Sequence, residues 1–332
     1  MNLLVRTSAV CVALLALASV TARAESLLSP DDRTALVSHK QGQLQLWDLV
    51  AGRVVRSFTG HTGSVTALAF SRDGKTILSG GEDGTVRLWD VTTGKELWGV
   101  NYGGDRKYPT YLQYGDDVQY VAFMPDGKEV LAAQHDGTIK LLDSQSGKDV
   151  RAFRTERELL WAASLSADGK TLVSTSALRD GWTIHLWDTA TGEELKKFRD
   201  TDAAVHASLL PDGKRLLSGG HQSLRLWDAS TGKLLQTLPN PILINVVAPS
   251  PDGRVVLVGA AYRGGGVITK WDVAALKVSG RLAGHRDEVS EISFSADSAT
   301  ALSAGDDGAL ILWDVSKGTI LYKLKVGRTE TR

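Results

Sequence analysis

Apolar and polar positions alternate along this chain in short runs that keep ending on the same two residues. LQLWD, VRLWD, IHLWD, LRLWD, ITKWD and LILWD close on Trp47-Asp48, Trp89-Asp90, Trp187-Asp188, Trp227-Asp228, Trp271-Asp272 and Trp313-Asp314. Leu142-Asp143, in IKLLD, fills the one gap, so the seven sites lie 42, 53, 45, 40, 44 and 42 residues apart. Period two in runs rich in Val, Ile, Leu, Thr and Trp predicts partly buried β-strands. A second motif keeps step. SRDGK (71–75), MPDGK (124–128), SADGK (166–170), LPDGK (210–214) and SPDGR (250–254) each precede a Trp-Asp or Leu-Asp site, with SPDDR (29–33) and SADSA (295–299) as weaker end copies. Asp-Gly between two apolar runs predicts a hairpin, because Gly takes positive φ without a steric cost. A third motif, DVTTGK, DSQSGK, DTATGE and DASTGK, follows the Trp-Asp sites and predicts another hairpin loop.

Each unit of about 42 residues therefore reads as four short strands. The second shows it: VTALAFS, turn, TILSGG, turn, TVRLWDV, turn, KELWGV. No helical period follows the first 24 residues. Four-stranded antiparallel units at this repeat predict an all-β chain, a seven-bladed β-propeller over residues 25–326, with 327–332 a disordered tail. TILYKLKV (319–326) supplies the last blade's own outer strand, and ESLL (25–28) is left for the first blade's innermost one. The ring is expected to close without strand exchange, with a weak seam between blades one and seven.

The interval of 53 exceeds the common spacing by 11 residues, and the excess is NYGGDRKYPTYLQYG (101–115), which holds four of the seven tyrosines. It joins the outer strand of blade two to the inner strand of blade three. Such connections share a face with the loops joining the two middle strands of each blade. Two of those, TSALRDGW (175–182) and GAAYRGGG (259–266), read as enlarged. The three departures bring Tyr102, Arg106, Lys107, Tyr108, Tyr111, Arg179, Trp182, Tyr262 and Arg263 to one face. Tyr, Trp and Arg are the types enriched at binding hot spots, and loops on a rigid scaffold commonly carry function. These nine are the candidate partner-binding residues.

GHTGSVTALAFSRDGKTILSGGEDGTVRLWD (60–90) and GHRDEVSEISFSADSATALSAGDDGALILWD (284–314) resemble units of the WD-repeat (WD40) family; in both, His precedes Trp by 28 residues. The resemblance implies a buried network of His61, Ser79, Asp83 and Trp89 in blade two and of His285, Ser303, Asp307 and Trp313 in blade seven. Elsewhere the pattern departs: Tyr114 and Glu156 fall in the His slots of blades three and four, and Gln41 and His221 replace the turn Asp of blades one and five. Those blades are expected to rely more on apolar packing. The family further implies a non-catalytic scaffolding module that binds a protein or peptide on the loop-rich face or along the central channel. The rival reading is an enzyme or small-ligand propeller, quinoprotein-like or lactonase-like, using the channel mouth.

Composition adds an address. Arg6, the 13-residue apolar run SAVCVALLALASV (8–20) and Ala22-Arg23-Ala24 form the pattern of a secretory signal peptide spanning residues 1–24, with an uncleaved anchor as the alternative. The run falls short of the about 20 residues a spanning helix needs. Export to a periplasmic or extracellular space is expected, with no stable membrane insertion after cleavage. Cleavage would remove Cys11, the single cysteine, together with Arg6 and Arg23, leaving a net charge of −2. Lys plus Arg and Asp plus Glu are 38 each, so no charge excess points to nucleic acid.

Catalytic signals are weak. His39, His61, His135, His185, His206, His221 and His285 show no metal-ligand spacing. No Gly-x-Ser-x-Gly elbow occurs. Gly264-Gly265-Gly266 precedes no helix that could hold a phosphate. DVTTGKELW (90–98) resembles the tryptophan-docking repeat of quinoprotein dehydrogenases, but only this copy ends in Trp, so Trp98 is read as an ordinary outer-strand residue. No metal, cofactor or catalytic residue is expected.

Overall fold

Every repeat predicted from the alternation folds as one sheet. The structure, a computed structural model, describes residues 26–38, 40–101, 117–153, 159–178, 181–202, 204–221, 223–239, 243–262 and 265–326. Residues 1–24, read above as a signal peptide, and 327–332, read as a tail, lie outside the described residues. Blade one holds β1 (Ser26–Leu28), β2 (Thr34–Ser38), β3 (Leu44–Asp48) and β4 (Arg53–Phe58). Blade two holds β5 (Val65–Phe70), β6 (Thr76–Gly81), β7 (Thr85–Asp90) and β8 (Glu96–Asn101). Blade three holds β9 (Val118–Phe123), β10 (Glu129–Gln134), β11 (Ile139–Asp143) and β12 (Asp149–Ala152). Blade four holds β13 (Leu159–Leu165), β14 (Thr171–Leu178), β15 (Gly181–Asp188) and β16 (Glu194–Asp200). Blade five holds β17 (His206–Leu209), β18 (Arg215–Gly219), β19 (Ser223–Asp228) and β20 (Leu234–Pro239). Blade six holds β21 (Leu243–Pro249), β22 (Val255–Tyr262), β23 (Gly265–Asp272) and β24 (Lys277–Ala283). Blade seven holds β25 (Val289–Phe294), β26 (Thr300–Gly305), β27 (Ala309–Asp314) and β28 (Thr319–Lys325). All seven sheets are antiparallel and take their strands in chain order. The innermost strands contact one another around a closed ring, including β1 against β25.

The core lies between the sheets. One apolar cluster fills each of the seven junctions, from Phe58, Ile77 and Trp89 between blades one and two to Leu28, Val37, Leu302 and Leu312 between blades one and seven. Large rings from one blade reach the Trp-Asp tryptophan of the next, as Phe58 to Trp89 (6.0 Å), Phe153 to Trp187 (6.4 Å) and Phe198 to Trp227 (5.1 Å). The rim has its own joints. Trp98 donates its indole N–H to Ser144 O at 2.9 Å and lies over Gly147, where a Cβ would stand 2.9 Å from the ring. Blade two is thus docked on the turn of blade three by the one tryptophan of the 90–98 stretch.

Among the described residues no strand crosses the seam. β1 has three residues and pairs only with β2, and the backbone N–H of Leu28 donates to Ser293 Oγ at 3.2 Å across to blade seven.

Two expectations are corrected. The middle connections of blades four and six are not enlarged loops. The ladder continues to the tips, pairing Leu178 with Gly181 and Tyr262 with Gly265, so β14, β15, β22 and β23 each run eight residues. Gly181 (φ 128°) and Gly265 (φ 149°) take the left-handed backbone at these tips, a conformation that a side chain disfavours. Apolar packing also does not replace hydrogen bonding in blades four and five, as the site geometry shows.

Candidate functional site

The recurring polar unit is an indole N–H on a serine hydroxyl one strand inward. Trp89 donates to Ser79 Oγ (2.8 Å), Trp313 to Ser303 (2.8 Å), Trp187 to Ser174 (2.9 Å) and Trp227 to Ser218 (2.9 Å). In blades two and seven a histidine completes it: His61 Nε2 lies 2.7 Å from Ser79 Oγ and its Nδ1 3.1 Å from Asp83, and His285 repeats this with Ser303 (2.7 Å) and Asp307 (3.0 Å). Burial opposes the charge on Asp307, yet bonds from His285 and the Arg286 and Ala309 N–H groups bring its carboxyl down to about 2. Asp83 is held well below the ordinary carboxylate range in the same way.

Blade five rewires the unit. Ser218 donates to the buried carboxylate of Asp200 (2.6 Å), which also pairs with Arg225, while Asp202 accepts from Ser223. His221, in the turn-Asp slot, is exposed. Blade four adds Ser176, His185 and Glu194 in a row, Ser176 Oγ 2.8 Å from His185 Nε2 and Glu194 Oε1 2.5 Å from its Nδ1. Ser176 and His185 are buried, so this row supports the strands. Where serine is missing the bond fails or moves. Val258 stands at that position in blade six and Trp271 Nε1 has no partner among the described residues; Val37 stands there in blade one and Trp47 turns to Gln45 (3.2 Å).

Two of the three departures are described in part, as the β14–β15 and β22–β23 hairpins that run on to Leu178–Gly181 and Tyr262–Gly265. Register places the start of β13, the β14–β15 tip and the end of β16 side by side, pairing Leu159 with Ala177, Ala177 with Trp182, and Trp182 with Asp200. Of the nine candidate side chains, the structure describes Trp182. Tyr262 is placed by its backbone at the β22–β23 tip. Tyr102, Arg106, Lys107, Tyr108, Tyr111, Arg179 and Arg263 lie outside the described residues, as do Tyr114 and Glu156.

Trp182 is partly buried, and its ring stands 5.4 Å from that of Trp161, a residue the repeat analysis did not single out. Trp161 meets His135 edge-on at 5.5 Å. Trp161 is there because the inner strand bulges. In blades two, three, four, six and seven one inner-strand residue drops out of the ladder: Thr66, Gln119, Trp161, Asn245 and Ser290. A bulge re-aims the side chain it carries. Three of these clamp backbone oxygens: Thr66 onto Val118 O (2.6 Å), Asn245 onto Val289 O (3.5 Å) and Ser290 onto Ala304 O (3.4 Å). Blade four puts an indole in that place, with its N–H buried and, among the described residues, unpaired. Aligning the inner strands on their bulges, VTAL, VQYV, LWAA, INVV and VSEI, shows a single aromatic at the second position, a signal the Trp-Asp repeat hides. His135 donates Nδ1–H to Leu160 O (2.8 Å), and burial holds its pKa below the ordinary histidine value, against that bond and Asp136. Among the described residues no cluster of three or more His, Cys, Asp or Glu could hold a metal, and no helix is long and apolar enough to cross a membrane.

Comparison with known proteins agrees with this geometry. Residues 52–90, 108–143, 192–228 and 276–314 match the WD domain, G-beta repeat family (WD40). The chain is 23% identical over 310 residues to Periodic tryptophan protein 2 of Arabidopsis thaliana, a match covering 86% of this chain and 33% of that protein, so it spans about a third of that relative's length. It is 23% identical over 285 residues to the Serine-threonine kinase receptor-associated protein of Gallus gallus, covering 84% of this chain and 75% of that one. The β-propeller domain of Cps50 (Swd1) from Myceliophteria thermophila superposes with a TM-score of 0.68 at 18% identity, over 85% of this chain and 92% of the domain.

Proposed function

For a chain that carries WD40 repeats in a seven-bladed β-propeller, we propose a non-catalytic binding or scaffolding role, with a protein or peptide partner held on the loop-rich face. One observation carries the reading: the bulge of β13 sets Trp161 beside Trp182, at the position where the bulges of blades two and six bond the next blade through Thr66 and Asn245. A stiff ring that displays large rings in fixed positions loses little ordering entropy on binding. A relative named for its association with a receptor fits the same kind of role. The balanced charge favours no nucleic acid.

Capture from an extract tests it. The chain, a Tyr102, Tyr108 and Tyr111→Ser variant and a Trp182→Leu variant would each be offered the same mixture and read by mass spectrometry. A protein held by the unaltered chain and lost by either variant, at equal melting temperature, is the expected result. Equal capture by all three would remove this face from the reading. Export is the second half of the proposal, and the pattern of residues 1–24 supports it. N-terminal sequencing of the processed chain should begin at Glu25; a chain that keeps Met1 and stays with the membrane would be an anchored one.

A further inference from the structure

We infer that the Asp126–Gly127 bond is a covalent modification site, the first-hairpin turn of this propeller at which aspartate converts to isoaspartate. The amide nitrogen of Gly127 attacks Cγ of the protonated Asp126 carboxyl. A new N–Cγ bond closes a five-membered imide, the bond from Cγ to its hydroxyl breaks, and that hydroxyl leaves with the amide proton as water. Water then adds back. Opening on the α-carbonyl side leaves the main chain running through Cγ, one atom longer, with a free α-carboxylate and no net change in atoms. Glycine suits the attacking position because it has no Cβ to crowd the ring.

The chain supplies its own comparisons. The inner hairpin turns of blades two to six all carry Asp-Gly, at Asp73, Asp126, Asp168, Asp212 and Asp252. Each glycine takes positive φ and donates its N–H to the carbonyl three residues back at 2.8 or 2.9 Å, so neither feature singles out one turn. Two restraints do.

The first acts on the carboxylate. Ser71, Ser166 and Ser250 donate their hydroxyls to Asp73 (2.7 Å), Asp168 (2.7 Å) and Asp252 (2.6 Å), each beside a backbone N–H. These bonds favour the charged form and hold the three carboxyls below the ordinary range, the hydroxyl first at Asp73 and Asp252 and the Lys170 N–H first at Asp168. Asp212 has Leu210 in the serine's place, but the Arg215 guanidinium takes its Oδ2 (2.7 Å) and two N–H groups take Oδ1. Asp126 has Met124 there, and among the described residues its one bond comes from the Lys128 N–H at 3.0 Å. A charged and firmly bonded carboxylate is a poor electrophile and is not free to turn onto the nitrogen.

The second restraint is cover. Pro30, Pro125 and Pro211 each lie against the turn of the following blade, beside Gly74, Gly169 and Gly253. Blade two carries Arg72 where those prolines stand, and a Cβ at Gly127 would meet nothing within 4 Å. Gly213 is equally open, but its aspartate is the one that Arg215 holds. Of these turns, 126–127 alone lacks both restraints. In the next turns along, Asp83 and Asp307 are bonded to His61 and His285, and Gly137 after Asp136 is buried. Asp180, before Gly181, lies outside the described residues.

Incubating the full chain in heavy-oxygen water at neutral pH tests this, because each imide that reopens takes up one labelled oxygen. Peptide mapping reads all the turns together. Residues 125–128 and 211–214 are the same tetrapeptide, Pro-Asp-Gly-Lys, so a difference between Asp126 and Asp212 comes from the fold. Label and isoaspartate should rise at Asp126 at least about fivefold faster than at Asp73, Asp168, Asp212 or Asp252, the ratio that one hydrogen bond supplies. The rates should converge in guanidinium chloride. Met124→Ser restores the hydroxyl and should slow Asp126 to the rate of Asp168. Should that variant fail to fold, Ser71→Ala carries the same test in reverse, since it should speed Asp73. A rate at Asp126 no higher than at its counterparts, or a rate that the serine substitution leaves unmoved, would overturn the inference.

Discussion

At the scale of single residues, one hydroxyl satisfies the Trp-Asp tryptophan in four blades. Ser79, Ser174, Ser218 and Ser303 accept the indole hydrogen bond; Val258 in blade six cannot, and Trp271 Nε1 is buried without a partner among the described residues. Leaving a buried donor unmade costs about 1–3 kcal/mol. Val258→Thr keeps the shape and supplies an acceptor, so it should stabilise the chain by about 1 kcal/mol, read as a raised urea midpoint at unchanged slope. Val37→Thr is the comparison. Trp47 already uses Gln45, so that hydroxyl is buried with nothing to bond and should destabilise by about 1–3 kcal/mol. Equal effects at the two sites would mean the indole bond contributes nothing. The tetrads of blades two and seven were legible through the resemblance of residues 60–90 and 284–314 to WD-repeat units, which implied them. The Asp200–Ser218–Arg225 substitute was not. Its acid comes from the end of the preceding blade, and no spacing rule within a blade reaches it.

At the scale of elements, hairpins carry both the repeat and its exceptions. The inner hairpin turns use glycine at positive φ in blades two to six, as at Gly74 and Gly169, while the end blades use Asp32 (φ 59°) and Ser298 (φ 65°). Asp32 bears a second burden. Burial first, then Asp297 and Asp31, raise its carboxyl pKa, and its Oδ1 is buried without a partner among the described residues. Asp32→Gly should stabilise the fold by about 0.5–1 kcal/mol from the backbone alone, once the greater freedom of unfolded glycine is subtracted. The sign with pH follows from the raised pKa. The charged form is disfavoured in the fold, so the penalty is full above the folded pKa and gone below the ordinary carboxylate value. The gain should therefore shrink between pH 7 and pH 3 in thermal melts; a gain that grew on acidification would refute the assignment. Legibility differs here too. Asp-Gly turns announced the hairpins, but the length of β14–β15 and β22–β23 was read as loop. Tip residues such as Arg179, Asp180 and Arg263 are polar whether the strands beneath them pair or not. The bulge at Trp161 was not legible, because the Trp-Asp repeat marks the third strand of each blade and fixes no register along the first.

At the scale of the whole molecule, the ring is seven contiguous sheets closed by side-chain packing. The seam rests on the Leu28, Val37, Leu302 and Leu312 cluster, a three-residue β1 and the bond from Leu28 N–H to Ser293 Oγ. Hydrogen–deuterium exchange should be fastest, among inner strands, in β1 and β25 and slower in β9 and β13, since local opening follows the least-supported contacts. Slower exchange at the seam than in blades three to five would show that closure is not the weak point.

The seam also sets a clock. Leu28 and Ser293 are 265 residues apart, the longest reach of any side-chain bond described for this chain. Synthesis at about 5–20 residues per second leaves roughly 10–50 s between the emergence of one and the other. Each sheet can form as its own residues arrive, yet the face of blade one that packs on blade seven, with Leu28 and Val37, stays uncovered through that whole interval. A holding factor that binds nascent chain would find its natural target at the first blade, and would be released when the seventh arrives.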